Sequence, residues 1–285
     1  MLSNNLMVNI SKIFLNFFSK RKDILVSLLF AVLFIGLILI IRIPIKQVFE
    51  FNPDEGTDLM TSLLLAKGFS LYTQIWYEHP PLVPVILSYW FKLLGPSIYH
   101  GRLLILIFSG IFLWAFYQTI KNLWGSLCAF TAIVFLIFST LFLRLHISVM
   151  LCTPARALAM LSIYFITLYK KSCSKRFLVL SGISMALSLH AKLIMLFLVP
   201  LIALEIIYIK RLSLKNTKKI DFFYPLFLWL GSFLIIYLAI IIIFFHFDFS
   251  LIIQQLVQPH FKKITLPGYD FSTIWKIILA DYDIT

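Results

Sequence analysis

Seven apolar runs dominate this chain, and they leave it few ways to fold. They cover residues 24–41, 102–120, 125–143, 153–169, 177–190, 193–209 and 222–246. A helix needs about 20 apolar residues to cross the hydrocarbon of a bilayer, and most of these runs approach that length. Inside the bilayer no water satisfies backbone groups, so only helices and closed barrels can span it. Barrel strands alternate apolar and polar residues, and these runs do not. The chain is 61% hydrophobic and 13% charged, against roughly a quarter charged in soluble domains. Its mean hydropathy is +0.97. These features predict an all-α, polytopic transmembrane helix bundle of about seven spans. Residues 1–285 form a single transmembrane domain in this reading. The run 24–41 is long for a signal-peptide core and no small-residue cleavage site follows it, which makes it an uncleaved first span. The run 177–190 is short for a crossing.

The net charge of +13 is explained by the membrane and not by nucleic acid. The basic residues cluster at span ends, where the positive-inside rule places them. With the N-terminus in the cytoplasm, the inner segments hold Lys12, Lys20, Arg21, Lys22, Lys121, Lys170, Lys171, Lys175, Arg176, Lys210, Arg211, Lys215, Lys218 and Lys219. The chain is therefore expected in the cell (plasma or inner) membrane as a multi-pass protein surrounded by membrane lipids. Cys128, Cys152 and Cys173 have neither disulfide-framework nor zinc-ligand spacing. No metal and no cofactor is expected.

That orientation gathers polar groups outside. Asp54, Glu55, His79, His100, Arg102, Arg144, His146, Lys192 and His260 all fall on or near the outer face. Ionisable groups at membrane depth are costly and usually functional. The first outer loop, 42–101, carries most of the acids and is punctuated by Pro44, Pro53, Pro80, Pro81, Pro84 and Pro96. Two short juxtamembrane helices fit inside it. One follows Pro53, with Leu59, Leu63 and Ala66 at helical spacing and Gly68 as its stop. The other starts at Pro80-Pro81, where the missing N–H is not needed, and ends at Gly95-Pro96.

Asn52-Pro53-Asp54-Glu55-Gly56 places two carboxylates in the positive field of a helix N-terminus. One can stay ionised as a base while burial raises the other. The plain alternative is an N-cap with a solvated second acid. His79-Pro80-Pro81 holds a His in extended geometry, able to bind phosphate or orient an acid, or simply to make a turn. Arg102, Arg144, His146 and Lys192 are cations near one surface, where long basic side chains often only snorkel. Lys192 stands out because it sits in a tight turn between two apolar runs. A cation there suits a lipid-borne phosphate.

The order of these features resembles the polyprenyl-phosphate-sugar glycosyltransferases of the GT-C fold, the superfamily of protein O-mannosyltransferases and lipid A aminoarabinose transferases. The resemblance rests on Pro53-Asp54-Glu55-Gly56, on Ala66-Lys67-Gly68 with Leu71-Tyr72, on His79-Pro80-Pro81-Leu82, on Gly101-Arg102, and on Ser181-Gly182 to Pro200 with Ala191-Lys192-Leu193. It covers residues 24–210, and 222–265 more weakly. It implies a sugar donor carried on a polyprenyl phosphate and a lipid, glycan or protein acceptor. Asp54 would be the general base on an acceptor hydroxyl that attacks with inversion, and Glu55 would orient the acceptor or the site. Arg102, Lys192 and His79 would hold the leaving phosphate. Tyr72, Arg144, His146 and His260 are further candidates for substrate contact.

The chain also departs from that pattern. Cys152-Thr153-Pro154-Ala155-Arg156 has no carboxylate where many relatives carry one. Position 58 is Asp58, whereas the aminoarabinose branch has a basic residue nearby. Relatives carry additional spans, so the chain reads as a truncated member or the first part of a split one, with a C-terminal part missing. Two other functions compete. A transporter or flippase would show pseudo-symmetric halves and Gly/Pro-broken spans, and no such symmetry is visible. A non-catalytic truncated membrane protein is the other.

Overall fold

A computed structural model of the protein describes residues 25–36, 38, 54–212, 219–245 and 248–259. The described residues form helices α1 (Leu25–Gly36), α2 (Asp54–Ala66), α3 (Leu82–Leu94), α4 (Ile98–Trp124), α5 (Ser126–Ile137), α6 (Thr140–Ile147), α7 (Cys152–Ser172), α8 (Lys175–Ala191), α9 (Leu198–Leu212) and α10 (Lys219–Phe245). A 3₁₀ turn, Leu193–Phe197, leads into α9, and a short α11 (Phe249–Ile252) runs into a π turn, Ile253–Val257. The architecture is the all-α bundle that the apolar runs predict.

The two short helices of the first loop are present. α2 stops before Gly68, whose φ of 99° needs a residue without a side chain. α3 begins straight after Pro80-Pro81 and stops at Gly95, with φ 89°. The hydroxyl of Ser97 then caps α4 by accepting from the His100 N–H at 3.1 Å.

Among the described residues four helical stretches are long and apolar enough to cross a bilayer: Ile98–Trp124, Cys152–Ser172, Leu193–Leu212 and Phe223–Phe245. A fifth exists if α5 and α6 count as one crossing, bent by 77° between them. The seven runs therefore do not all become regular spans. The run 125–143 is broken near Ser139, whose hydroxyl accepts from the Phe142 N–H at 3.3 Å and starts a new helix. The described part of the first run is short, and α8 has 17 residues with Lys175 and Arg176 in its first turn.

Contacts fix the helix directions. α4 and α7 run parallel, with Trp114 against Tyr164 at 5.1 Å between ring centroids and Asn122 donating to Thr167 at 3.0 Å. α8 returns antiparallel to α7, since Ser162 and Ser181 share a hydrogen bond of 2.8 Å and Ser188 donates to the Ala155 carbonyl at 2.7 Å. α10 lies parallel to α8, with Trp229 Nε1 donating to Ser181 at 3.1 Å and His190 stacked on Tyr237 at 4.7 Å. Small residues and interhelical hydroxyls at these crossings are what membrane helices use to associate, because lipid is as apolar as leucine.

The two ends of the bundle differ in charge. Lys121, Lys170, Lys171, Lys175, Arg176, Lys210 and Arg211 lie at one end, in the terminal turns of α4, α7, α8 and α9. Lys171 donates to Asn122 at 2.7 Å and Lys170 pairs with Glu205 at 3.3 Å there. The opposite end gathers α2, α3, the starts of α4 and α7, and the ends of α8 and α10. An apolar cluster of Tyr72, Ile75, Tyr77, Ala155, Ala191 and Phe245 joins the 70–79 loop to those helix ends.

Candidate active site

The acidic N-terminus of α2 is held against the bundle by a buried ion pair. Arg102, in the first turns of α4, donates from Nε to Glu55 Oε1 at 2.8 Å and from Nη2 to Glu55 Oε2 at 2.6 Å. The two side chains are 1% and 5% exposed. Glu55 Oε1 also accepts the Val149 N–H at 2.9 Å, in the turn between α6 and α7. One carboxylate thus ties α2 to α4 and to the entry of α7. A buried pair with this fork geometry has its charges satisfied by each other and by the backbone.

Asp54, the adjacent residue, is exposed in the first turn of α2, where the helix dipole favours a negative charge. The two neighbouring acids therefore have separate environments: Glu55 is enclosed and fully bonded, and Asp54 faces outward.

Asp58, one turn further along α2, is 4% exposed and accepts a hydrogen bond from the Tyr77 hydroxyl at 2.8 Å. α2 belongs to a connecting segment and not to a span. Burial pushes the Asp58 carboxyl up to about 7; the Tyr77 hydrogen bond opposes this, the charge of Asp54 adds to it, and Lys192 pulls it back. Tyr77 is raised well above its ordinary value, first by burial and then by the charge of Asp58. The interaction also places Lys192 within electrostatic reach of the acidic helix. Lys192 stands in the extended residue between α8 and the 3₁₀ turn, half-buried, and its Nζ donates to Cys152 Sγ at 3.0 Å.

The other expected site residues are distributed as follows. Tyr72 is buried at a left-handed φ of 71°, donates its hydroxyl to the His79 carbonyl at 2.7 Å and stacks on Phe245 at 4.3 Å. A non-glycine residue held there stores strain that the surrounding contacts must fix. His79 is partly exposed, 4.0 Å from Glu78 and edge-on to the Tyr77 ring at 5.6 Å. Asp54, Glu55, Tyr72, His79, Arg102 and Lys192 therefore share one end of the bundle. His146 is 1% exposed. It is expected near the outer surface, but the bend before α6 turns its ring onto Phe142 at 3.8 Å, with Nδ1 on the Phe142 carbonyl at 2.9 Å. Arg144 lies on the same short helix. His260, Asn52, Pro53 and the rest of loop 42–53 lie outside the described residues.

Tyr77, Val149 and Gln255 have no role in the sequence reading, and Asp58 enters it only as a departure from the aminoarabinose branch and not as a site residue. The signal for Asp58 was its spacing of four from Asp54, which puts both on one helix face. Gln255 accepts the Tyr77 N–H at 3.2 Å across 178 residues of sequence, and no local pattern announces such a contact. Beside α2, Gly56, Met60 and Leu63 face Phe91, Pro96 and Ile98 across an apolar cavity of about 290 Å³. Among the described residues no three His, Cys, Asp or Glu side chains form a metal-binding group.

A model of the dolichyl-phosphate-mannose-protein mannosyltransferase family matches residues 78–244. The matched range takes in His79, Arg102 and Lys192, and Asp54 and Glu55 precede it. No curated protein and no solved structure matches the chain.

Proposed function

The chain belongs to the dolichyl-phosphate-mannose-protein mannosyltransferase family, and from that premise we propose that it transfers a sugar from a polyprenyl-phosphate carrier to an acceptor hydroxyl, with inversion, at the acidic end of the bundle. Family and fold make it a multi-pass membrane glycosyltransferase of the GT-C type. The acidic end is the extracytoplasmic one in this reading, because the Lys/Arg-rich end obeys the positive-inside rule as the cytoplasmic side.

The observation that carries the proposal is the fork between Glu55 and Arg102. It fixes the start of α2 and leaves Asp54 facing outward in a position set by its neighbour. In the transfer step Asp54 accepts the proton of the acceptor hydroxyl. The freed oxygen pair bonds to the anomeric carbon, and the carbon–oxygen bond to phosphate breaks with its electrons on the leaving polyprenyl phosphate. The leaving group is already stable and needs charge compensation more than a strong acid. Lys192 and His79 supply that compensation. Arg102, enclosed and bonded to Glu55, acts as the brace of the site more than as an open phosphate ligand. The apolar cavity beside α2 suits the first isoprene units of the carrier.

The test is donor choice. Membranes containing the protein should move labelled sugar from a polyprenyl-phosphate donor and leave nucleotide sugars untouched. Transfer directly from a nucleotide sugar would defeat the proposal.

A further inference from the structure

The basic end of the bundle holds cations that the transfer step does not use. Two of them are engaged: Lys170 pairs with Glu205 at 3.3 Å and Lys171 donates to Asn122 at 2.7 Å. Lys175 and Arg176, which open α8, are both exposed. Among the described residues neither is in an ion pair or donates a hydrogen bond. Exposed basic side chains often only snorkel into water, but Lys175 turns back onto the bundle. Its Nζ lies 4.6 Å from the centre of the Tyr224 ring. That cation–π contact holds the charge over the first turns of α10.

Beyond Tyr224, α10 turns an apolar face outward. Phe227, Leu234, Ile235 and Leu238 are exposed and recur at helical spacing. They belong to a stretch long and apolar enough to cross a bilayer, Phe223–Phe245, so this face meets lipid. Gly231 stands in the middle of the stripe, four residues from both Phe227 and Ile235. Its backbone is helical, and a Cβ there would meet nothing within 4 Å. Neither the backbone conformation nor helix packing requires glycine at that point, and glycine is unfavourable inside a helix. It leaves a notch in the lipid-facing surface, seven residues and about 10 Å along the axis from Tyr224.

We propose that the two cations and the notch form one site for an anionic phospholipid of the leaflet at this end. The lipid phosphate sits between Lys175 and Arg176. One acyl chain runs along α10 past Tyr224 and Phe227 and lies over Gly231. Charge complementarity selects the headgroup. Two positive charges with no carboxylate of their own attract a phosphate of net negative charge, whereas a zwitterionic headgroup presents a cation of its own to them. Basic residues beside the end of a span recognise anionic lipids in this way, and a guanidinium can take two phosphate oxygens at once. The bound lipid clamps the start of α8, which has only 17 residues, to α10. The site lies at the opposite end from the acidic helix and does not depend on the transfer reaction.

The experiment follows thermal unfolding of the full chain, purified and delipidated in detergent. Phosphatidylglycerol, phosphatidylcholine with the same acyl chains, or soluble glycerol phosphate is added in separate titrations. The expected result is a saturable Tm rise of about 5–10 °C at phosphatidylglycerol a hundredfold above its Kd. Phosphatidylcholine gives a smaller rise and glycerol phosphate gives none. Lys175→Gln and Arg176→Gln each weaken phosphatidylglycerol about fivefold. Gly231→Leu fills the notch from open space, so the lipid-free Tm does not fall while the lipid binds more weakly. Equal effects of the two phospholipids overturn the inference. So does unchanged phosphatidylglycerol affinity in Gly231→Leu or in the double Gln variant. A rise with glycerol phosphate equal to that with the lipid marks a soluble-anion site and overturns it as well.

Discussion

Glu55 and Arg102 are 47 residues apart in sequence and meet through two parallel hydrogen bonds of 2.8 and 2.6 Å, in a pocket that leaves them almost no contact with solvent. Removing one partner strands a buried charge. Glu55→Ala or Arg102→Ala should each destabilise the protein by about 3–5 kcal/mol. Thermal unfolding in detergent will read this as a lowered Tm. Arg102→Lys should restore only part of it, because an ammonium cannot make the fork. The double replacement Glu55→Ala with Arg102→Ala should cost less than the two single changes added together. Strict additivity would show that the two groups are not coupled.

Asp58 makes stability depend on pH in the unusual direction for an acid. Its carboxyl is raised from 3.8 in the free residue to about 7 in the fold, so between those values the folded state binds more protons than the unfolded one. The contribution is fully present below about pH 4 and is lost as pH rises through about 7. Asp58→Asn keeps an acceptor for Tyr77 without the charge. It should therefore raise the Tm at pH 8 relative to wild type and change it little at pH 4.5. A Tm lowered equally at both would show that the ionised form is not disfavoured by burial.

Gly182 marks a close approach of α8 and α10. A Cβ added there would clash with the Ser232 hydroxyl and lie 2.7 Å from the Trp229 carbonyl oxygen and 3.0 Å from the Phe233 nitrogen. Alanine gains about 1 kcal/mol in helix propensity, but backbone atoms cannot swing aside, and overpacking costs about 1–3 kcal/mol or more. Gly182→Ala should lower the Tm. Gly101→Ala should do less harm, since its Cβ would meet side chains only, first the movable end of Leu59 at 2.7 Å and then a Val149 methyl at 3.0 Å.

Orientation can be read from thiol chemistry. Gln74 is exposed at the acidic end, and native Cys173 is exposed at the basic end beside Lys175. In a Cys128→Ser background, a cysteine at position 74 should react with a membrane-impermeant maleimide in intact cells. Cys173 should react only after the membrane is opened. The reverse pattern would invert the topology.

Periodicity and punctuation made α2 and α3 legible, down to the stops at Gly68 and Gly95. They did not reveal which face of α2 turns inward. The apolar stripe of Leu59, Leu63 and Ala66 is only half-buried, and the most enclosed residues are Glu55, Asp58, Thr61 and Ser62. That inversion is a tertiary effect, because Arg102, Val149 and Tyr77 supply the partners and all come from elsewhere in the chain. The break in the run 125–143 was hidden for a related reason. No Pro or Gly marks it, and the 77° bend is expressed through Ser139 and the packing of Phe142 and His146. The charge asymmetry of the two ends, by contrast, follows directly from where Lys and Arg fall between apolar runs.

The account depends on Asp54 acting as the base while its neighbour Glu55 braces the site. The direct measurement is the rate of labelled-sugar transfer from a polyprenyl-phosphate donor by wild type and Asp54→Asn, with donor affinity measured in parallel. The account predicts a fall of about 10²–10⁴-fold in kcat with donor affinity and Tm close to wild type. Transfer by Asp54→Asn at the wild-type rate would contradict it.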